Sequence, residues 1–204
     1  QMCIRDRSHD FESLTDDCGA TGSRTVTFTA TDECGNESST SATFTVEDTI
    51  APIIASEATD MTVECDGAGN TADLNSWLAA NGAAREATDD CSGVTWSNNF
   101  NGLSNLCGAT GAATVIFTAA DDCGNTSTTT ASFTIQDTTA PEITASNNVD
   151  IPCDEYDGAT AYGYAATDAC SDVTTSIEDV FLNGACEGSY ERTYTATDDC
   201  GNSS

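Results

Sequence analysis

Residues 107–141 read CGATGAATVIFTAADDCGNTSTTTASFTIQDTTAP and residues 18–52 read CGATGSRTVTFTATDECGNESSTSATFTVEDTIAP, so that 23 of 35 positions are identical without a gap. The two copies begin 89 residues apart, and a third begins at Cys186 with CEGSYERTYTATDDCGN. A period of about 90 residues is the size of a small domain and not of a solenoid repeat. The sequence therefore predicts a tandem array of similar modules, an organisation more typical of spacers and adhesins than of catalytic domains.

Two strands of alternating polarity lie within the repeated stretch. Apolar residues occupy every second position of the first strand, and a turn containing Gly-Asn leads to a second strand with the same alternation. The pattern predicts the last hairpin of an immunoglobulin-like β-sandwich, with one face buried and the other exposed. The inward positions are Val26, Phe28, Ala30, Ala42, Phe44 and Val46 in one copy and Val115, Phe117, Ala119, Ala131, Phe133 and Ile135 in the other.

The remaining pattern sets the domain organisation. Residues 72–82, ADLNSWLAANG, place apolar side chains at helical spacing before a glycine, which predicts one short helix in the middle repeat. The period divides the chain into the C-terminal part of a truncated repeat (8–48), a complete repeat (49–137) and a repeat lacking its last strand (138–204). Residues 1–7, QMCIRDR, match nothing in the array and resemble translated sequencing-adapter sequence. They are predicted to be a non-native leader, with a genuine N-terminal arm as the alternative.

Four motifs resemble those of a known family: TVECD at 62–66, ATDDCSGVTW at 87–96, TVTFTATDECGN at 25–36, and the linker pattern Asp-Thr-x-Ala-Pro. They are similar to hyalin-repeat-like (HYR-like), immunoglobulin-fold tandem repeats of large secreted bacterial surface proteins and adhesins. The resemblance covers nearly everything from Ser8 onward. It implies an extracellular or cell-surface location and no chemistry of the repeats' own, and the intact protein is expected to be longer than this chain.

The resemblance favours a structural role, as a stalk, filament or adhesin backbone on or outside a bacterial cell. Two alternatives stay open: an adhesin module that binds glycan or a partner cell, and a noncatalytic spacer of a larger secreted enzyme. Trp96, Phe100 or Phe181 on a concave surface would favour glycan binding, whereas their burial would favour structure. The third repeat lacks its last strand, and the resulting sheet edge predicts self-association into filaments, with truncation of the sequence as an equal explanation of that edge.

Charge and composition exclude several other functions. Thirty-four acidic residues against five arginines and no lysine give a formal net charge of −29, so neither nucleic acid nor an anionic membrane is expected as a partner. No apolar run is long enough to span a bilayer. The single histidine, His9, and the lack of lysine leave the usual bases and nucleophile activators missing, so no catalytic function is predicted.

Eleven cysteines, without a CxxC motif, indicate structural disulfides in an oxidising compartment and not a zinc site. The strand predicted over 113–121 runs roughly 26 Å at about 3.3 Å per residue, which holds Cys107 and Cys123 apart at opposite poles. We therefore predict that each repeat closes two bonds between cysteines at the same pole. The predicted pairs are Cys65–Cys107 with Cys91–Cys123, and Cys153–Cys186 with Cys170–Cys200.

Aspartates are expected to gather where repeats meet, because the linkers and the turns at that pole both carry them. Hard oxygen ligands from two modules suit calcium, which takes about six to eight oxygens and would stiffen the joint. The alternative is that each aspartate caps a turn with its own backbone and that its charge is solvated. The predicted calcium ligands are Asp48, Asp89, Asp90, Asp121 and Asp122 at one junction and Asp137, Asp168, Asp198 and Asp199 at the next.

Glycosylation is the other prediction for these loops. Asn36, Asn125 and Asn202 begin Asn-x-Ser acceptor sequons at the same turn of each repeat. Thr49 and Thr138 lie in Asp-Thr-x sequences similar to sites O-glycosylated in some exported bacterial proteins. Either modification would coat the array in sugar.

One cation departs from the repeat pattern. Arg192 falls at an inward position of the third copy, where the two other copies have valine. A long cationic side chain at such a position extends toward solvent or pairs with an acid. We therefore expect the Arg192 guanidinium to reach the strand end or to meet an acidic side chain there.

Overall fold

The computed structural model describes residues 4–145, 150, 152, 154–155, 163–183 and 189–204. Within them β-strands are the main regular structure, with one α-helix, α1 (Thr71–Ala79), and a short 3₁₀ turn at Asn81–Ala83. No helix in this part of the chain has the length and apolar character that crossing a membrane requires. The strands are β1 (Ile4–His9), β2 (Gly22–Asp32), β3 (Glu37–Val46), β4 (Ile53–Ile54), β5 (Met61–Glu64), β6 (Ala87–Thr88), β7 (Val94–Asn98), β8 (Gly111–Asp121), β9 (Thr126–Gln136), β10 (Glu142–Ala145), β11 (Tyr164–Thr167), β12 (Val173–Asn183) and β13 (Ser189–Asp198).

The chain divides into two compact units. The first consists of Gln1–Ala58, Ala83–Asn99 and Ile116–Thr130, and the second of Thr59–Gly82, Phe100–Val115 and Ala131–Ser204. This division runs through the long strands β8 and β9, whereas the predicted repeat boundaries follow the sequence period. The predicted boundaries therefore stay a prediction, as does the non-native leader.

In the first unit, β1, β2 and β3 form an antiparallel sheet in that order. Strand β1 lies beside β2 with His9 opposite Phe28, and β7 lies beside β8 with Asn98 opposite Phe117. Because both members of the second pair lie 89 residues after their counterparts, β1 has the place in the first repeat that β7 has in the second. Strands β4 and β6 pair separately.

In the second unit, strand β5 and helix α1 cover the edge and face of strand β9. Strand β5 runs parallel to β9 with Met61 opposite Phe133, which extends the sheet to the order β5-β9-β8-β7. From α1, the buried Trp77 ring lies 5.5 Å from the Phe133 ring, centroid to centroid, and its Nε1–H donates to the Thr59 carbonyl at 3.1 Å. Leu74 is buried from the same helix, so the predicted helix and its inward face are confirmed.

The second unit also contains two antiparallel pairs, β10 with β11 and β12 with β13. Tyr164 of β11 stacks on Tyr194 of β13 at a centroid distance of 4.4 Å. Arg192 of β13 lies directly opposite Asp179 of β12, and its Nε and Nη2 donate to the two carboxylate oxygens at 2.6 and 2.7 Å. The prediction that Arg192 meets an acidic side chain is confirmed.

The predicted alternation is confirmed in the second copy of the repeated stretch. Its six inward side chains are buried: Val115, Phe117, Ala119, Ala131, Phe133 and Ile135. In the first copy Phe28 and Phe44 are exposed, since no element among the described residues covers them as β5 and α1 cover β9. The predicted fold class is confirmed as far as an all-β, disulfide-bonded chain with one short helix in the middle repeat, and the immunoglobulin-like arrangement stays a prediction.

Candidate functional site

Three disulfides join cysteines of consecutive repeats. They are Cys18–Cys123 in the first unit, and Cys65–Cys170 and Cys107–Cys200 in the second. The predicted pairs Cys65–Cys107, Cys91–Cys123 and Cys170–Cys200 are wrong, and the predicted pair Cys153–Cys186 lies outside the described residues. The prediction fails because Cys18, Cys65 and Cys107 are each bonded to a cysteine of the following repeat and not to one of their own.

Backbone contacts show why consecutive repeats supply the partners. Each CGAT loop lies against the Asp-x-Cys turn of the following repeat. Ala20 N–H donates to the Cys91 carbonyl at 2.8 Å, and Ala109 N–H donates to the Cys170 carbonyl at 2.7 Å. Gly19 has φ +54°, and a Cβ added there would overlap the Cys91 carbonyl. Only glycine fits this approach, so the loop's sequence places its cysteine within reach of the next repeat.

At each of these junctions an aspartate and an asparagine of one turn are hydrogen-bonded to each other and to the linker, and we call this arrangement the Asp-Asn bracket. Asp121 Oδ1 accepts from the N–H groups of Cys123 and Asn125, both at 2.9 Å, and Asn125 Nδ2 donates to Asp121 Oδ2 at 2.8 Å. The same Nδ2 donates to the carbonyl of Asp48 in the linker at 3.2 Å. In the second unit Asp198, Asn202 and Asp137 repeat this arrangement. Sequence reasoning missed this role of the asparagines, although the recurring Asp-x-Cys-Gly-Asn string is the signal for it.

The structure brings six of the nine predicted calcium ligands into two clusters. In the first unit, Asp48 lies within 4.8 Å, ligand atom to ligand atom, of Asp89 and of Asp121. In the second unit Asp137 lies within the same distance of Asp168 and of Asp198. The exposed Asp90, Asp122 and Asp199 belong to neither cluster.

Within each cluster the turn aspartates differ from the linker aspartate. Asp89 and Asp168 each accept from two backbone N–H groups of their own turns, as the alternative of local capping requires. The linker residues Asp48 and Asp137 use only Oδ1, which accepts from the backbone two residues on. Among the described residues, Oδ2 of each is buried without a hydrogen-bond partner. Asp137 as a whole is only 9% exposed, so its free oxygen is an uncompensated buried acceptor.

Burial raises the pKa of Asp137, and the nearby carboxylates of Asp168, Asp198 and Glu64 raise it further. Asp198 behaves differently, although desolvation acts on it most strongly. Its hydrogen bonds from Asn202, Gly201 and Cys200 together outweigh that desolvation and hold its pKa below the ordinary value. Asp137 therefore has a single hydrogen-bond donor among the described residues, the Thr139 N–H at Oδ1, and a buried Oδ2 with none.

Cys91 and Cys34 are free thiols, Cys91 half-buried and Cys34 exposed. The prediction that Cys91 forms a disulfide is therefore wrong for this chain. Burial raises the pKa of the Cys91 thiol, and the charge of Asp48 raises it further. At neutral pH this cysteine is a poor nucleophile.

The predicted glycosylation residues have structural contacts. The Nδ2 atoms of Asn125 and Asn202 belong to the brackets described above, and Asn36 Nδ2 donates to Asp32 Oδ2 at 2.8 Å. The Thr138 hydroxyl donates to Glu64 at 3.0 Å, whereas Thr49 is exposed. A sugar on either bracket asparagine would have to replace its contact with the linker. Glycosylation at all five residues stays a prediction.

The three aromatic residues that would distinguish glycan binding from a structural role differ in their exposure. Trp96 and Phe100 are half-buried. Phe181 is exposed and lies beside the exposed Tyr190, with ring centroids 5.1 Å apart. These two rings form an exposed aromatic pair on the β12–β13 hairpin.

No family model matches the chain, and no curated protein matches it. Solved structures of protocadherin fragments are similar at a low level. For PcdhgB3 EC1-4 the TM-score is 0.31 with 14% identity, over 91% of this chain and 55% of that one. For the protocadherin gamma B7 extracellular cadherin domains 1-4 the TM-score is 0.33 with 15% identity, over 98% of this chain and 65% of that one. For mouse clustered PcdhgC3 EC1-3 the TM-score is 0.31 with 15% identity, over 92% of this chain and 75% of that one.

The chain thus spans less than two thirds of the first two of these structures. Superposition this loose supports neither a shared function nor a shared site. The hyalin-repeat resemblance and the bacterial origin stay predictions from the sequence.

Proposed function

We propose that the chain is part of an extracellular tandem array that transmits tension as a stalk, filament or adhesin backbone. One observation carries this proposal: every disulfide among the described residues joins one repeat to the next. A bond within a repeat would stabilise a single module, whereas a bond between repeats fixes the distance across a junction. Disulfides persist in oxidising compartments, which supports an exported protein.

The covalent network shortens the path along which force travels. With the three bonds intact, the shortest covalent route from one terminus to the other follows residues 1–18, crosses to Cys123, returns to Cys107 and crosses to Cys200. About 37 backbone steps remain on that route, so complete unfolding would extend the oxidised chain to only roughly 13 nm at about 3.5 Å per residue. The reduced chain would extend to roughly 70 nm by the same measure.

Single-molecule force spectroscopy on the full chain tests the proposal. The protein is held by handles at its two termini and stretched with and without a reducing agent. We expect the contour length at full extension to increase about fivefold on reduction. A Cys34→Ala variant serves as the control, because this thiol is exposed and outside the disulfides, and it should extend as the parent does. An oxidised chain that extends as far as the reduced one would contradict the tension-bearing role.

Calcium at the junctions is the second part of the proposal. Asp137 supports it, because a buried carboxylate oxygen without a donor, beside two other carboxylates, lacks the counter-charge that a cation would supply. Asp168 and Asp198 offer further oxygens within 4.8 Å. The donor set of carboxylate and backbone oxygens is the kind that calcium prefers. Asp48, Asp89 and Asp121 form the equivalent set in the first unit.

Thermal unfolding of the full chain, in calcium and in chelator at constant ionic strength, tests this part. At ten times its dissociation constant, calcium should add about 1.4 kcal/mol to the free energy of unfolding. Asp137→Asn should lose a large part of that increase, whereas Asp199→Asn, an exposed acid outside the cluster, should keep it. An equal calcium response in both variants would show that Asp137 is not a ligand, and no response in the parent would contradict a calcium site at the junctions.

A binding role is the second candidate function, and the exposed Phe181–Tyr190 pair favours it. Aromatic faces of this kind stack on sugar rings and on apolar patches of a partner, so a surface glycan or a second copy of the chain would fit. Glycan-array binding of the parent and of a Phe181→Ser, Tyr190→Ser variant separates this candidate from the structural role. Loss of a signal in the variant would support an adhesin module, and no signal in the parent would leave the array as a stalk or as a spacer of a larger enzyme.

A further inference from the structure

Two hairpins of similar sequence, on β2 and β3 and on β8 and β9, differ in what covers them. Phe117 and Phe133, on β8 and β9, are both 0% exposed. Their counterparts Phe28 and Phe44, on β2 and β3, are 47% and 59% exposed. Since the sequences and strand registers correspond, the difference lies in the covering elements and not in the hairpins themselves.

The second hairpin shows what such a cover consists of. Strand β5 pairs in parallel with β9 from Met61 to Glu64, and Cys65 N–H continues the ladder to the Gln136 carbonyl at 2.8 Å. Helix α1 then places Trp77 over Phe133. Among the described residues, no strand pairs with the corresponding edge of β3.

The free thiol of Cys91 lies near Asp48, the residue two positions after the end of β3. Cys91 has the surroundings that Cys170 has in the second unit: its N–H donates to Asp89 Oδ1 at 2.8 Å, as Cys170 N–H donates to Asp168 Oδ1 at 2.7 Å. The sulfur of each also lies within 4.8 Å of carboxylate oxygens of its turn and linker. Cys170 is bonded to Cys65, the residue that follows β5, whereas Cys91 is free.

We propose that the free edge of β3, the apolar face around Phe28 and Phe44, and Cys91 form a docking surface for a segment equivalent to residues 59–83. The partner is an extended strand ending in Cys-Asp-Gly, followed by a short amphipathic helix with an inward tryptophan. The strand pairs in parallel with β3, the helix covers Phe44, and the cysteine bonds to Cys91. This proposal is argued from the two hairpins and Cys91, and it does not depend on the tension-bearing role proposed above.

The glycine of the partner segment has a defined place in this arrangement. Gly67 has φ +72°, and a Cβ added there would overlap the Ala169 carbonyl in the turn that carries Cys170. Asp90 has the position of Ala169 in the turn that carries Cys91. The partner must therefore bring a residue without a side chain past this turn, as the Cys-Asp-Gly string does.

The bond forms by thiol–disulfide exchange. The Cys91 thiolate attacks the cysteine sulfur of a partner that carries glutathione as a mixed disulfide. That sulfur–sulfur bond breaks, a new one forms to Cys91, and glutathione leaves as a thiolate that takes up the proton Cys91 released. No other oxidant is required. Docking of the partner holds its cysteine sulfur beside Cys91, so the exchange should be faster than with a small disulfide that does not dock.

The test uses the full chain with Cys3→Ser and Cys34→Ser, and a synthetic peptide of residues 59–83 carrying glutathione on its cysteine. A control peptide has Val63→Asp and Trp77→Ser, and oxidised glutathione measures the intrinsic reactivity of the thiol. Intact mass gives the rate, and non-reducing peptide mapping gives the site. We expect bonding at Cys91, at least tenfold faster with the native peptide than with the control. Phe44→Ser in the protein should remove that advantage without changing the rate with oxidised glutathione.

A second readout does not involve sulfur. The same peptide with Cys65→Ser and 5-fluorotryptophan at position 77 should show a saturable ¹⁹F shift with the parent protein and none with Phe44→Ser. Equal rates for the two peptides, or bonding at a cysteine other than Cys91, would overturn the proposal. So would a dimer in sedimentation that Phe44→Ser abolishes, because the surface would then be occupied by a second copy of the chain.

Discussion

Removal of the Cys107–Cys200 bond by Cys107→Ala, Cys200→Ala should destabilise the protein strongly. The bond closes a loop of 93 residues, and in the chain-entropy description such a loop is worth about 4.7 kcal/mol. The Cys65–Cys170 bond already constrains an overlapping part of the chain, which reduces the effective loop and the expected loss to about 4 kcal/mol. For a chain of this size the midpoint of thermal unfolding should fall by roughly 8–16 °C.

Differential scanning calorimetry under non-reducing conditions measures this loss. Cys34→Ala is the matched control, because that thiol is exposed and free, and it should leave the midpoint within about 1 °C of the parent, as surface substitutions do. A double variant that unfolds with the control would refute the pairing of Cys107 with Cys200. A non-reducing digest of the parent should also yield a peptide pair containing these two residues.

Three further outcomes follow from single contacts. Gly67→Ala should destabilise the protein more than Gly69→Ala, because both glycines have positive φ but only at Gly67 would the new Cβ overlap a carbonyl. Urea unfolding should show a loss in the free energy of unfolding of about 1–2 kcal/mol for Gly69→Ala and a larger loss for Gly67→Ala. Arg192→Val should lower the free energy of unfolding by about 3–5 kcal/mol, because it removes the Arg192 ion pair from the largely buried Asp179. Adding Asp179→Phe should restore most of that loss, and equal losses in the single and double variants would contradict this. Backbone N–H groups lower the pKa of Asp66, so its stabilisation is fully present above the ordinary value of 3.8 and is lost as the pH falls through the lowered pKa. Asp66→Asn should therefore lower the melting midpoint at pH 7, and this loss should shrink as the pH falls below 3.8; an effect independent of pH would refute this origin.

The alternation of apolar residues sufficed to predict the hairpins and the buried face of the second copy. Helical spacing around Trp77 sufficed for the only α-helix among the described residues. The inward position of Arg192 sufficed to predict that its guanidinium reaches the strand end or meets an acid, and the structure shows the second of these. These features depend on residues close together in sequence or on one strand, and there local pattern and burial agree.

The disulfide pairing could not be predicted in the same way. Strand length separates Cys107 from Cys123, but it does not say whether the facing pole belongs to the same repeat or to the next. A repeated sequence offers the same cysteines at both, so only the docking of the CGAT loop on a following turn decides between them. The exposure of Phe44 has a related cause, since burial of that side chain depends on a covering segment and not on β3 itself.

The overlapping order of the three disulfides makes the chain tolerant of damage. Cys18 is bonded forward past Cys65 and Cys107, and each of these is bonded forward past Cys123. A single backbone break anywhere between residues 18 and 200 therefore leaves the two termini covalently joined through at least one remaining route. A protease that cuts one exposed loop would convert the protein into two polypeptides that still migrate as one molecule until they are reduced. This redundancy keeps the chain in one covalent piece after a single cut and does not require resistance to cleavage.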